Sequence, residues 1–155
     1  MTPSQTIGPF FHEGLEWALT RRDGDLQDGE SLVCGAIFDG NGDGVPDAML
    51  EVWQAGGFQR LFSDPAGRFT FVVRRDADDG IAHVTIFARG LQGAVRTRLY
   101  AAASLDALGS RPELAKVPPE RLATLLPSGA DDTRRMLEWS IHLQGDRETV
   151  FFDLA

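Results

Sequence analysis

Along Ile81-Ala82-His83-Val84-Thr85-Ile86-Phe87-Ala88-Arg89-Gly90, the side chains able to do chemistry recur at every second position. On extended backbone successive side chains point to opposite faces. His83, Thr85, Phe87 and Arg89 therefore share one face, and Ala82, Val84, Ile86 and Ala88 form an apolar face behind it. A His-x-His at this spacing would chelate a metal from a single strand. Here Thr85 stands where the second imidazole would be, so one imidazole remains, followed by a guanidinium. The other histidines give no help: His142 falls on the solvent face of its own strand, and His12 lies beyond the amino-terminal motif, where a place at a pocket rim is the minority reading. A site of two histidines and a carboxylate would need His83 to converge with His12 or His142, and no spacing supports that. The single tyrosine, Tyr100, sits between Leu99 and Ala101 and reads as a core residue with a locally bonded hydroxyl.

These residues must be positioned by strands. Turn signals separate short apolar stretches at 31–38, 48–55, 67–74, 81–89, 96–102, 136–144 and 148–154, the pattern of a sandwich. Leu137, Trp139, Ile141 and Leu143 alternate with Glu138, Ser140, His142 and Gln144, as a half-buried antiparallel strand requires. Helical signal is confined to 104–109, where Ser104 can cap, and to 119–126, which Pro119 starts and Pro127 stops. The expectation is a mainly β, single-domain β-sandwich over residues 1–155, of mostly antiparallel strands with one or two short helices.

Composition sets independent bounds. A chain of 155 residues, 43% of them apolar and 17 of them glycine, is long enough for one domain with a real core. A net charge of −8 argues against nucleic acid or an anionic membrane as partner, since both need a basic surface. No charged leader precedes an apolar run and no stretch is long enough to span a membrane, so a cytoplasmic protein is expected. Cys34, the lone cysteine, alternates with Leu32, Ala36 and Phe38 and reads as a small core residue. Asp39-Gly40-Asn41-Gly42-Asp43-Gly44 matches the first half of a calcium-binding EF-hand loop. However, Leu50 stands where the bidentate glutamate belongs and Pro46 interrupts the loop, so the segment reads as an Asp/Asn/Gly turn between strands, with a weak cation site over 39–47 as the alternative.

His83-Val84-Thr85-Ile86-Phe87-Ala88-Arg89-Gly90 and the following Arg96-Thr97-Arg98-Leu99-Tyr100 also resemble a known family, the alpha subunits of the intradiol dioxygenases that cleave protocatechuate. Four further segments agree and lie in family order: Thr2 to Phe11, Leu50-Glu51-Val52-Trp53-Gln54-Ala55, Asp64-Pro65-Ala66-Gly67-Arg68-Phe69, and Leu143 to Asp153. The resemblance implies O2-dependent ring cleavage at a non-haem Fe(III) held by two tyrosinates and two histidines. This chain, with one tyrosine and Thr85 in place of a histidine, cannot assemble that set. No metal ligand or catalytic residue is assigned to it, and the iron is expected on a homologous, catalytic beta subunit in an alpha-beta hetero-oligomer. The chain's own share, by resemblance, is to wall the substrate pocket: segment 1–12 reaches the shared active site through Thr6, Gly8 and Pro9, and Arg89 orients the anionic substrate with its planar, permanently charged fork. The chain departs from the family in shorter stretches at 53–69 and 74–80 and in Phe10 where tyrosine is frequent. Two other readings stay open: a stand-alone β-sandwich binding module, and a self-sufficient oxygenase with an atypical site.

Overall fold

The computed structural model describes residues 8, 14–15, 18, 25–131 and 135–153. The strands are β1 (Glu30–Phe38), β2 (Met49–Gln54), β3 (Gly57–Phe62), β4 (Arg68–Arg74), β5 (Ile81–Phe87), β6 (Val95–Tyr100), β7 (Gly129–Asp131), β8 (Met136–Glu138) and β9 (Ile141–His142), and the α-helix α1 (Leu105–Gly109) lies between β6 and β7. One sheet runs β4-β1-β8-β7, with β9 joined to β1 as well; the other runs β3-β2-β5-β6. All pairings are antiparallel except β1 with β8 and with β9, which are parallel. No helix among the described residues is long and apolar enough to cross a membrane.

The sheets face each other because each strand turns one apolar parity inward. Val33 and Ile37 of β1, Leu50 and Val52 of β2, Phe69, Phe71 and Val73 of β4, and Val84 and Ile86 of β5 close around Trp139, which is 1% exposed. The indole meets Phe69 and Phe71 edge-on at 6.4 and 6.5 Å between centroids, a favoured aromatic geometry, and its Nε1 donates to the Thr124 carbonyl at 3.0 Å. Gly35 makes this approach possible: a Cβ there would sit 1.7 Å from the Trp139 carbonyl oxygen.

A second apolar cluster lies outside the sandwich. Leu108, Leu114, Leu122 and Leu125, from α1 and the 3₁₀ turns Pro112–Leu114 and Pro119–Leu125, bury Tyr100 together with Val150. The Ser104 hydroxyl caps α1 by accepting from the Ala107 amide, as its position before the helix predicts.

Three expectations are corrected. Cys34 lies on the partly exposed face of β1, because Ser31, Val33 and Ile37 turn inward instead; both parities of this strand are apolar, and the packing against β4 and Trp139 decides between them. The stretch at 148–154 forms no strand in its described part, because its amides go to scattered acceptors, Thr149 to His142 and Phe152 to Arg96, rather than to one ladder. The 136–144 stretch, expected as one antiparallel strand, divides into β8 and β9 around Trp139 and Ser140, and both run parallel to β1, with β8 antiparallel only to β7. The Asp39 segment is the turn expected: the Asp39 carboxylate accepts from the Asn41 and Asp43 amides at 2.9 and 3.0 Å.

Candidate functional site

β5 lies between β2 and β6, and the register fixes what shares its outer face. Trp53, His83 and Arg98 form one cross-strand row, and Glu51, Thr85 and Arg96 the next. β3 extends both rows: Phe58 packs on Trp53 with centroids 4.4 Å apart, and Arg60 donates through Nε and Nη2 to one Glu51 oxygen at 3.0 and 2.6 Å. The result is a depression of about 210 Å³ whose exposed walls are Trp53, His83, Thr85, Arg96, Arg98 and Phe152. Phe152 reaches it from the carboxy-terminal segment, which is pinned to β6 by its own amide to the Arg96 carbonyl, 2.8 Å, and by the buried Thr97 hydroxyl donating to the Val150 carbonyl, 2.8 Å.

The electrostatics of the depression are cationic. The Arg98 guanidinium lies 4.8 Å above the Phe152 ring, with Nη1 3.5 Å from the Tyr100 hydroxyl. Among the described residues neither Arg96 nor Arg98 forms an ion pair; Glu51 is engaged by Arg60, and the Glu113 carboxyl, its pKa lowered first by its own backbone amide, feels the Arg98 charge without closing a bridge to it. Partial desolvation pushes the His83 pKa below the ordinary imidazole value and the Arg98 charge pushes it further, against a smaller opposite pull from Asp78, so the site favours the neutral ring.

This donor set does not fit a ferric ion. His83 and Thr85 supply one imidazole and one neutral hydroxyl, two guanidiniums stand beside them, and the Tyr100 phenol is fully buried with Arg111 over its ring at 5.1 Å. No group of three or more His, Cys, Asp or Glu among the described residues is arranged to hold a metal. His142 faces outward as its parity requires but is half-buried, stacked on Phe38 at 5.1 Å, and burial followed by the Arg147 charge lowers its pKa.

Arg89 lies just past β5, in a turn closed by the Leu91 amide on the Ala88 carbonyl at 3.2 Å, with Gly90 at φ 89°. Its Nη2 donates to Asp47 Oδ2 at 2.9 Å, and half of its side chain is exposed. Asp47 lies in a loop pinned by buried Ser63, which accepts from the Ala48 amide and donates to the Val45 carbonyl. Arg89 is not part of the depression. Gly8 is exposed; Thr6, Pro9 and His12 lie outside the described residues. Arg96, Arg98, Trp53 and Phe152 are not singled out as site residues by the sequence alone. The available signal is the Arg-x-Arg alternation, which becomes informative once β6 is set in register beside His83 and Thr85.

No family model matches the chain. The chain is 32% identical to the protocatechuate 3,4-dioxygenase alpha chain of Pseudomonas putida, over 98% of its own length and 96% of that protein's, and 33% identical to the alpha chain of the same name from Burkholderia cepacia, over 99% and 97%. The chain belongs to the protocatechuate 3,4-dioxygenase alpha chain family. Both alignments exceed 190 positions, 194 and 193, so these alpha chains carry residues that a chain of 155 lacks. The fold agrees: the 3-chlorocatechol 1,2-dioxygenase structure from Rhodococcus opacus 1CP superposes with a TM-score of 0.54 at 20% identity, over 80% of this alpha-family chain and 63% of that one. A dioxygenase domain from Streptomyces sp. SirexAA-E gives 0.53 at 16% identity, over 96% and 100%.

Proposed function

We propose that this chain is the alpha subunit of a protocatechuate 3,4-dioxygenase, a cytoplasmic enzyme of aromatic compound catabolism that cleaves protocatechuate with O2 between its two hydroxylated carbons to give 3-carboxy-cis,cis-muconate. The observation that carries this reading is similarity to two alpha chains over nearly the full length of both partners in each comparison. The absence of a fitting donor set on the His83 face supports a division of labour in which a homologous beta subunit carries Fe(III). That ion supplies Lewis-acid activation of the bound catechol. The alpha chain contributes geometry, worth rate by holding the substrate in a reactive orientation.

Thr6, Gly8, Pro9 and Arg89 wall the substrate pocket in this reading. Arg89 suits the role: it is exposed enough to meet a ligand, and Asp47 holds its fork from one side, so little side-chain entropy is lost on binding a carboxylate. Gly8 admits a ligand close to the backbone and Pro9 stiffens the segment, while Thr6 offers one hydroxyl.

Co-expression with the beta subunit should yield an equimolar complex, and the chain purified alone should carry no stoichiometric iron and lack the red tyrosinate-to-iron colour. In the complex, Arg89→Ala removes a charge-assisted hydrogen bond of about 1.5–3 kcal/mol and should lower kcat/KM for protocatechuate roughly 10- to 150-fold without changing iron content. Arg89→Lys should recover part of the loss. Catechol, lacking the carboxylate, should be insensitive. Wild-type turnover of protocatechuate by an assembled Arg89→Ala complex removes Arg89 from the site.

A further inference from the structure

The outer-face depression is not explained by the pocket-wall role given to Arg89. Arg96 and Arg98, two positions apart on β6, point the same way, and neither is ion-paired with a described residue, Glu113 acting on Arg98 only from beyond bridging distance. Like charges this close repel, and a folded chain with eight more acidic than basic side chains has many carboxylates from which a partner could have been placed here. His83 and Thr85, opposite them on β5, make no side-chain hydrogen bond to other described residues, so an imidazole and a hydroxyl with open bonding capacity face the same space. The remaining walls are aromatic: Trp53, left 53% exposed on an otherwise well-packed strand, and Phe152 under the Arg98 guanidinium. Two cations, two neutral polar groups and two ring faces around a small concavity are the parts of a recognition site for a flat anion.

We propose that this depression binds a small aromatic monocarboxylate, with the carboxylate on Arg96 and Arg98 and the ring against Trp53. The volume, about 210 Å³, is below the range of pockets for drug-sized ligands and suits a single ring bearing one carboxylate. A bare oxyanion would satisfy the arginines but leave Trp53 and Phe152 unused. An apolar ring would use the aromatic walls but leave the guanidiniums unneutralised. Only the combination engages every wall. The proposal does not rest on the alpha-subunit reading, since none of its residues is among those assigned to the shared pocket.

The test is calorimetric titration of the full chain, in whatever assembly it purifies, with benzoate as probe and with benzamide, cyclohexanecarboxylate and inorganic phosphate as comparators. On the chain free of any beta subunit, benzoate should bind one per chain, with benzamide about tenfold weaker or more because the charge is lost. Arg96→Gln and Arg98→Gln should each weaken benzoate by about tenfold or more, and Trp53→Leu should erase its advantage over cyclohexanecarboxylate. Arg96 and Trp53 are exposed, so both variants keep the core, which circular dichroism verifies. Arg89→Ala should leave this binding unchanged; if it alone abolishes binding, the ligand sits at Arg89 and the assignment here is wrong. In a complex with a beta subunit, a second benzoate per alpha-beta pair that is lost in Arg96→Gln and kept in Arg89→Ala supports the same assignment. Absence of saturable binding, indifference to both arginine substitutions in folded protein, or phosphate binding as tightly as benzoate overturns the proposal.

Discussion

Ala82, Val84 and Ile86, on the inner face of β5, and Ala88 just past its end are each buried to within 1% of completeness, whereas His83, Thr85 and Phe87 on the other face stay partly or largely open. The inner face meets a crowded interior where shape and volume are what matter, and any side chain of the right size would serve. The outer face is defined by its neighbours. His83 acquires its character from Trp53 on one side and Arg98 on the other, and the same tripeptide on an edge strand would be an ordinary surface. One strand thus carries a face whose properties are local and a face whose properties are borrowed.

The largest effect should come from the inner face. Ile86→Ala should cost about 2–5 kcal/mol of unfolding free energy by urea denaturation, from lost burial and the cavity left behind; a loss below about 1 kcal/mol would mean that the sandwich interior relaxes more than its packing implies. Thr97→Val tests how the faces are joined, because Thr97 is buried yet its hydroxyl anchors the segment bearing Phe152. Leaving the Val150 carbonyl unpaired should cost about 1–3 kcal/mol and loosen one wall of the outer depression, read as faster amide exchange at Phe152. Unchanged exchange there would separate the two faces after all.

A smaller effect should appear in the pH dependence of stability. The folded pKa of His83 lies below its unfolded value near 6.5, so above that pH the ring is neutral in both states and has no influence. As pH falls through about 6.5, the unfolded chain takes up the proton first and stability declines. His83→Gln should flatten this decline, leaving the similar contribution of His142. A wild-type protein that gains stability relative to His83→Gln on acidification from pH 7 would reverse the sign and contradict the partial desolvation of the ring. Thr85→Val, at a half-open position, should change stability by no more than about 0.5 kcal/mol; a cost of several times that would mark Thr85 as part of an internal network.

The inner face of β5 is legible in the sequence because alternation alone specifies it, and α1 because Ser104 before a helical run has a direct structural meaning. β1 is legible as a strand but not in its parity: Leu32, Cys34 and Ala36 compete with Val33 and Ile37, and the outcome depends on Gly35 admitting the Trp139 carbonyl from a segment far along the chain. β3 escapes a reading by pattern because Ala55-Gly56-Gly57 looks like the start of a loop, whereas Gly56 at φ 89° closes a two-residue hairpin that brings Gly57 opposite Gln54. The segment around Phe152 alternates like a strand and lies against the β6 edge, but its amides go to scattered acceptors and no ladder forms. For the site, Arg89 can be named from its motif but its ion pair with Asp47 cannot, since that depends on a loop held by Ser63. The arginine pair of β6 is visible as letters and acquires its setting only from the register with β5.

The parallel pairing of Leu32 with Met136 and of Ile37 with Ile141 has a consequence for how the chain is made. β1 is the first strand described along the chain, and β4 can cover one of its edges early, but its other edge waits for β8 and β9. During synthesis that edge emerges with its amides and carbonyls unpaired and stays so until most of the remaining chain has left the ribosome, an invitation to pairing with other chains. Contacts this distant in sequence place the molecule among slow folders, in the millisecond-to-second range. Nascent chains that stop before residue 136 would hold one complete sheet and a second with β1 open along one edge, and their fate would depend on how quickly something else covers it.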